Sequence, residues 1–467
     1  MQSPQVTDKS SSKASDQKPS IDKLLVILTF TLIAIGIVTV YDASYGPNLQ
    51  AQKNPATLLI KQARWALIGL GCLLATTVIP YWYWRRYTIP VISIAVIMLG
   101  LVLVPHIGHE LNGAKRWIGP GSIQLQPSEF AKLALVLYLA HWCSISRNKV
   151  RDLKNGLSRP LAVMLLLAFL IEREPDLGTT IVLCSTGLTM MYLAGARRRH
   201  LGSLIFAAAI AVTLYSVSKP YRLHRLTAFM DPKAYQLNNG YQVWHGLLAL
   251  GSAGVPGMGL GDGIEKLNVP MAPTDFIFAV IGEEWGLIGT LTLLGLFLLV
   301  AARGYTIAHN TKDPFGSLLA AGLTSLISLQ TIINVAVVTS TIPNTGVPLP
   351  FISYGGSALL LMMTSIGLLL NISRHPNGKP KNPENDTEST PSERDFERRW
   401  ERRPYVPRYD RSSPVDIPAP PDSPARAGEF LRPGAVSPSR PKSGKRPHRH
   451  TPVGAAPRKT ERHDRRW

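Results

Sequence analysis

The sequence predicts an all-α polytopic membrane protein with about ten transmembrane helices, a long extracytoplasmic loop between spans seven and eight, and a disordered cytoplasmic tail. Three observations carry this. Apolar runs near the length needed to span a bilayer recur along the chain. Charge is sparse through the first 371 residues, which hold 28 Lys/Arg and 17 Asp/Glu. The last 96 residues, in contrast, hold 22 Lys/Arg, 13 Asp/Glu and 17 of the chain's 37 prolines. A mean hydropathy of +0.08 averages these two regions and hides both. The pattern excludes an ordinary cytosolic enzyme. The formal net charge of +20 does not argue for nucleic acid, because membrane proteins concentrate Lys and Arg in their cytoplasmic segments.

Spanning a bilayer takes about 20 apolar residues in a helix. The runs fall at Leu24–Val40, Trp65–Ile79, Ile89–Val104, Phe130–Ile145, Leu161–Ile171, Thr179–Ala194, Leu201–Val217, Phe276–Ala302, Ser317–Ser340 and Gly355–Ile372. The fifth is short and extends into its flanks. An even number places both termini on one side. Arg85/Arg86, the basic cluster from Arg147 to Arg159, Arg197–Arg199, and Arg303 with Lys312 share that side with the basic tail, so both termini are expected in the cytoplasm. Residues 1–21 read as a disordered polar tail and not as a cleaved signal, 22–374 as the membrane domain, and 375–467 as a disordered basic, Pro/Arg-rich tail. Cys72, Cys143 and Cys184 are scattered through apolar runs with no metal-ligand spacing, which predicts buried thiols and no metal site.

Three extracytoplasmic segments, His106–Glu129, Lys219–Thr274 and Thr341–Tyr354, are rich in Gly, Pro and Trp and are too long to be mere connections. In the first, Arg116 and Trp117 pair a guanidinium suited to phosphate with an amphipathic ring, although interface anchoring explains the Trp equally well. Ser128 and Glu129 suit a helix start, and Lys132 follows one turn into an apolar span. A charge there either snorkels beside Glu129 or faces a polar cavity. Glu172-Arg-Glu-Pro-Asp-Leu-Gly178 is either a solvated turn or a polar cluster at a cavity mouth. The glycine-dense stretch Gly251–Gly263 lacks the βαβ context of a dinucleotide site and reads as tight, irregular backbone at the membrane face. Asp275 opens the eighth span, with Glu283 and Glu284 two turns deeper. It is either a helix cap or a carboxylate facing a polar cavity, able to act as a general base or metal ligand. Asn344–Ser357 is a turn-rich loop stiffened by Pro348 and Pro350, and it carries Ser353 and Ser357 into the last span.

Together, GAKRWIGPGSIQLQPSEFAKLALV (113–136), EPDLGT (174–179), RLTAFMDP (225–232), GYQVWHGLLALGSAGVPGMGLG (240–261), TDFIFAVIGEEWG (274–286) and NVAVVTSTIPNTGVPLPFISYGGSALL (334–360) resemble the SEDS family of shape, elongation, division and sporulation proteins. The likeness spans about residues 22–374 and is closer to the division branch than to the elongation branch. The chain departs from the family's Pro-Glu-Ala-His with Pro270-Met-Ala-Pro273, which leaves Asp275 intact. The resemblance implies an inverting peptidoglycan glycosyltransferase that polymerises lipid II onto a nascent glycan strand at the outer face of the cytoplasmic membrane, at the division septum. It implies Asp275 as the catalytic residue, and Arg116, Trp117, Glu129, Lys132, Arg222, Arg225, Ser353 and Ser357 as substrate-binding groups. An apolar groove between spans would hold the polyprenyl tails. A divalent cation, magnesium or manganese, is its implied helper, with no organic cofactor. A class B penicillin-binding transpeptidase and other division-complex membrane proteins are its implied partners. A lipid II flippase and a non-catalytic scaffold are the rival classes.

Overall fold

A computed structural model describes residues 20–50, 54, 56–105, 108–111, 114–119, 124–146, 150–217, 227–238 and 240–378. The expected tails up to residue 19 and from residue 379, together with Arg222 and Arg225, lie outside the described residues. The described part is helical apart from one short hairpin and the outer loops. Each of the ten apolar runs is a helix. In chain order these are α1 (Lys23–Gln50), α2 (Thr57–Val78), α4 (Thr88–Leu103), α5 (Pro127–Ile145), α6 (Ser158–Arg173), α7 (Leu177–Leu193), α8 (Arg198–Val217), α10 (Ile277–Asn310), α11 (Pro314–Val338) and α12 (Gly356–Arg374). The short α3 (Tyr81–Arg86) links α2 to α4, and α9 (Tyr241–Ser252) lies in the long loop before α10. The hairpin pairs β1 (His109–Leu111) with β2 (Ala114–Trp117) antiparallel, and an isolated bridge joins Ile118 to Leu125.

Five helices, α1, α2, α10, α11 and α12, are long and apolar enough to cross a membrane by length and composition alone. The others are shorter, as α4 and α7 are, or carry polar groups that lower their hydropathy, such as Glu129, Lys132 and His141 in α5. That polarity has a structural reason. α5 is buried on all sides from Pro127 to Ala140 apart from Phe130, so its polar groups face protein and not lipid.

Helices in a bilayer gain little from hydrophobic burial against one another and approach closely through small residues. The α2–α12 pair shows this. A Cβ at Gly367 would stand 2.0 Å from Thr76 Oγ1 and 2.5 Å from the Leu73 carbonyl oxygen. Toward the C-terminal end of α12, Asn371 Nδ2 donates to the carbonyls of Thr77 (2.7 Å) and Ile79 (2.9 Å), while its Oδ1 accepts from Tyr81 N (2.9 Å). Gly367→Ala must push backbone apart and should cost about 1–3 kcal/mol, read as a lower Tm in detergent. Gly71→Ala on the same α2, with nothing within 4 Å of its Cβ position, should leave Tm unchanged or slightly raised.

α10 departs from the uninterrupted span expected at 276–302. Its 34 residues break at Gly286, which has φ 64 and ψ −160. The hydrogen bonds around the break are fully accounted for. Leu287 N and Ile288 N would ordinarily donate to the carbonyls of Glu283 and Glu284, but instead reach Gly254 O (3.2 Å) and Val255 O (3.3 Å). Met258 N and Gly259 N then fill Glu283 O and Glu284 O, both at 3.0 Å. The glycine-dense stretch can do this because Gly254, Gly257, Gly259 and Gly261 all adopt positive φ. A Cβ at Gly257 would lie 2.1 Å from Glu284 O. Satisfied backbone on both sides is what permits an interrupted helix at this depth.

Candidate active site

Three segments meet at one end of the helical body: residues 270–276 before α10, the loop 339–355 between α11 and α12, and the turn 174–178 between α6 and α7. The first is held by main chain. Tyr354 N donates to Pro273 O (2.8 Å), and Gln242 on α9 donates through Nε2 to Pro270 O (2.8 Å). Gln242 Oε1 in turn accepts from Asn344 Nδ2 (2.9 Å), so α9 ties the departing Pro270–Pro273 stretch to the 339–355 loop. Phe276 is fully buried, its ring 2.7 Å from the Cβ position of Gly246, which anchors the residue next to Asp275 under α9.

Phe276 occupies the N-cap of α10, so Asp275 sits one residue before the position a capping residue takes. Its half-buried carboxylate instead faces the 339–355 loop, with Oδ2 3.5 Å from where a Cβ on Gly346 would stand. Gly346 has φ 71, a left-handed conformation that keeps the backbone close. The carboxylate thus stands beside the loop backbone, one residue ahead of the positive end of a helix.

Lys132 is neither snorkelling nor facing solvent. It is 2% exposed, and its ammonium donates to Glu129 Oε1 (2.9 Å) and Gln330 Oε1 (2.8 Å). Glu129 is equally buried and its second oxygen has no partner. Both side chains are enclosed by protein, and Gln330 stands between Lys132 and the 339–355 loop. Ser128, expected as the cap of α5, has a buried hydroxyl without a partner, while Gln126 is the N-cap residue and Pro127 begins the helix. Ser353 and Ser357 are likewise buried and hold backbone. Ser353 Oγ accepts from Leu349 N (2.8 Å), and Ser357 Oγ accepts from Gln126 N (3.0 Å) and donates to Gln124 O (3.3 Å).

Arg116, on β2, is committed to the 174–178 turn. Its Nε donates to Glu174 O (3.0 Å) and its Nη2 to Pro175 O. Trp117 beside it is half-buried, consistent with a ring at an interface. Asp176 caps α7 by accepting from Thr179 N (3.1 Å) and Thr179 Oγ1 (2.9 Å), and it also accepts from Gln126 Nε2 (3.0 Å). The turn presses on the loop: a Cβ at Gly178 would stand 2.3 Å from Thr345 O. The reading of 172–178 as a solvated turn is therefore replaced by a packed polar cluster.

Glu174 is the exceptional group in that cluster. It is 0% exposed and neither carboxyl oxygen has a partner. Burial pushes its carboxyl up to about 9, Asp176 adds to the rise and Arg116 opposes it. The folded pKa lies above the ordinary carboxylate value, so the folded state holds more protons than the unfolded one between about 4.5 and 9. Stability from this group is complete at the acid end of that window and falls as pH rises through it. Glu174→Gln should therefore gain Tm relative to the parent progressively from pH 5 to pH 9, as scanned by thermal unfolding.

A second buried cluster braces the glycine-dense segment. Lys266 Nζ donates to Asp42 Oδ1 on α1 (2.9 Å), Glu284 Oε1 on α10 (2.7 Å) and Gly261 O (2.8 Å). Burial alone would lower the Lys266 pKa, but the hydrogen bonds it donates to Glu284 and Asp42, and their charges, outweigh it and raise it. Glu283 Oε1 accepts from Ile264 N (2.7 Å) and Glu265 N (2.8 Å). Glu283 and Glu284, expected deep in a continuous span, thus serve the helix break. An apolar groove of about 890 Å³ lies between α7 and α8, lined by Ile181, Cys184, Leu188, Leu201 and Ile205 together with Arg198.

Three residues went unnoticed in the sequence: Gln242, Gln330 and Asn334. The last two did carry a signal, since two amides four apart in an otherwise apolar helix share a face.

Comparison with known proteins bears directly on this arrangement. Residues 22–378 match the family of FtsW, RodA and SpoVE described as Cell cycle protein. The chain is 39% identical over 357 residues, 75% of its own length and 93% of the relative's, to the probable peptidoglycan glycosyltransferase FtsW of Trichlorobacter lovleyi. It is 38% identical over 363 residues to stage V sporulation protein E of Bacillus subtilis, covering 77% and 98% of the two chains. Among solved structures it resembles a chain from work on the structural coordination of polymerization and crosslinking by a peptidoglycan synthase complex, with TM-score 0.66 and 29% identity over 77% of this chain and 99% of that one. It also resembles the rod shape determining protein RodA of Thermus thermophilus, with TM-score 0.56 and 27% identity over 77% and 98%.

Proposed function

This chain belongs to the cell cycle protein family of FtsW, RodA and SpoVE, and from that premise we propose that it is a peptidoglycan glycosyltransferase that polymerises lipid II for the division septum. The observation that carries the reading is Asp275, a carboxylate presented across a close loop interface at the outer end of an interrupted helix. In this role Asp275 takes the proton from the 4-hydroxyl of the acceptor sugar as that oxygen attacks the anomeric carbon of the growing strand. Undecaprenyl diphosphate departs from the opposite face, and configuration inverts. A positioned base of this kind contributes about 10²–10⁴-fold.

Cationic groups must meet the departing diphosphate. Arg116 is proposed for this with its remaining guanidinium donors, its Nε and Nη2 being held by the 174–178 turn. Arg222 and Arg225 belong to the same proposal from sequence alone. The groove between α7 and α8, with its apolar lining, is proposed to hold a polyprenyl chain. A divalent cation, magnesium or manganese, is proposed as a companion of the diphosphate. Among the described residues no three acidic, imidazole or thiolate side chains converge to cage one.

Both termini are proposed to be cytoplasmic, with a class B penicillin-binding transpeptidase and other division proteins as partners. The decisive experiment reconstitutes the full chain in vesicles with lipid II, with and without the transpeptidase. Glycan polymer should appear. Transfer of lipid II across the bilayer with no polymer would instead favour a flippase.

A further inference from the structure

Gln330 and Asn334 lie one turn apart on α11 and are both 0% exposed. Amides buried in an apolar helix are costly unless bonded. Both are bonded to the main chain of the active-site segments. Asn334 Nδ2 donates to Val347 O (2.8 Å) and to Asp275 O (2.9 Å). The flipped amide would set its oxygen against two carbonyl oxygens, so this orientation is required. Gln330 Nε2 donates to Pro348 O (3.0 Å). Its Oε1 accepts from Lys132, which has donors only, so the lysine fixes which end of the amide meets the loop. Ser353 Oγ completes the set at Leu349 N. Three consecutive loop residues, 347–349, therefore each have a buried side-chain partner. One amide is shared between the loop and the main chain of Asp275, and the next residue, Gly346, faces the Asp275 carboxylate.

We infer that Gln330 and Asn334 are positioning residues that set the 346–349 loop against Asp275, and that Lys132 acts on the site through Gln330. This rests on the reading of Asp275 given above. Misplacement of a catalytic group by about 1 Å can cost about 100-fold, so two amides holding one interface have leverage without touching substrate.

The test uses the full chain in lipid II vesicles with Asn334→Leu and Gln330→Glu. The glutamate keeps an acceptor for Lys132 but loses the donor to Pro348 O, which separates the two contacts. Each variant should lower kcat about 10–100-fold with KM for lipid II within about twofold. Amide hydrogen exchange should quicken within 270–276 and 344–350 and nowhere else. Unchanged kcat in both variants would overturn the inference. So would a rise in KM at constant kcat, which would mean substrate contact, or faster exchange throughout the helices, which would mean a stability role alone. A parent chain that makes no polymer would overturn the proposed function, while exchange that quickens in neither segment in the variants would overturn the positioning link on its own.

Discussion

Asp275→Asn should reduce lipid II polymerisation by about 10²–10⁴-fold, the range a lost general base commands, while the protein folds and inserts as before. The amide variant keeps the size of the side chain and the main-chain oxygen that accepts from Asn334, so a paired stability measurement separates lost chemistry from lost structure. The measurement is polymer length and yield from lipid II in vesicles, paired with a Tm in the same detergent. Polymerisation at the parent rate would remove Asp275 as the base. A large fall in Tm would mean that the carboxylate stabilises the loop interface instead. At Gly346, Gly346→Ala strains a backbone at φ 71 beside the same carboxylate, so it should lower activity with the base still present.

What the sequence made legible was the apolar framework and the position of Asp275. All ten apolar runs are helices because each buries or exposes enough hydrocarbon to fix its state without long-range partners. The glycine-dense segment was also read correctly as irregular backbone, since clustered glycines remove the penalty on left-handed turns. The interruption of α10 was not, because Glu283, Glu284 and Gly286 look like a polar patch in a continuing helix. The partner that makes the break affordable, residues 254–259, lies in a different segment. The same holds for Lys132. Its nearest partner, Glu129, is three residues away and was visible, but Gln330 is 198 residues away and no local pattern connects them. Ser128 failed as a cap for the opposite reason: local propensity favoured it, and Pro127 at the first helical position moved the start two residues earlier. Arg116 was noticed as a phosphate-type group, yet its grip on the 174–178 turn depends on a hairpin that short-range reading does not place.

Lys132→Met should be the most destabilising single change among the polar core residues, by about 3–5 kcal/mol, because it strands a buried carboxylate. Glu129 Oε1 would lose its cation while Oε2 already lacks a partner, and both lie in a helix buried on nearly every side. Replacing both members removes that penalty. Glu129→Leu with Lys132→Met should return to within about 1–2 kcal/mol of the parent, since exchanging a buried ion pair for packed apolar side chains is often neutral or favourable. Thermal unfolding of the two variants against the parent measures this directly. Polymerisation should not return with stability. In the double variant Gln330 Oε1 has no lysine to orient it, so the amide no longer presents Nε2 to Pro348 O in one fixed direction, and the loop at Gly346 loses its backing. A double variant that recovers both Tm and rate would make Lys132 a stability group and nothing more. One that recovers Tm alone separates the two duties of the ion pair: the charges offset each other's burial, and the lysine directs an amide toward the backbone opposite Asp275.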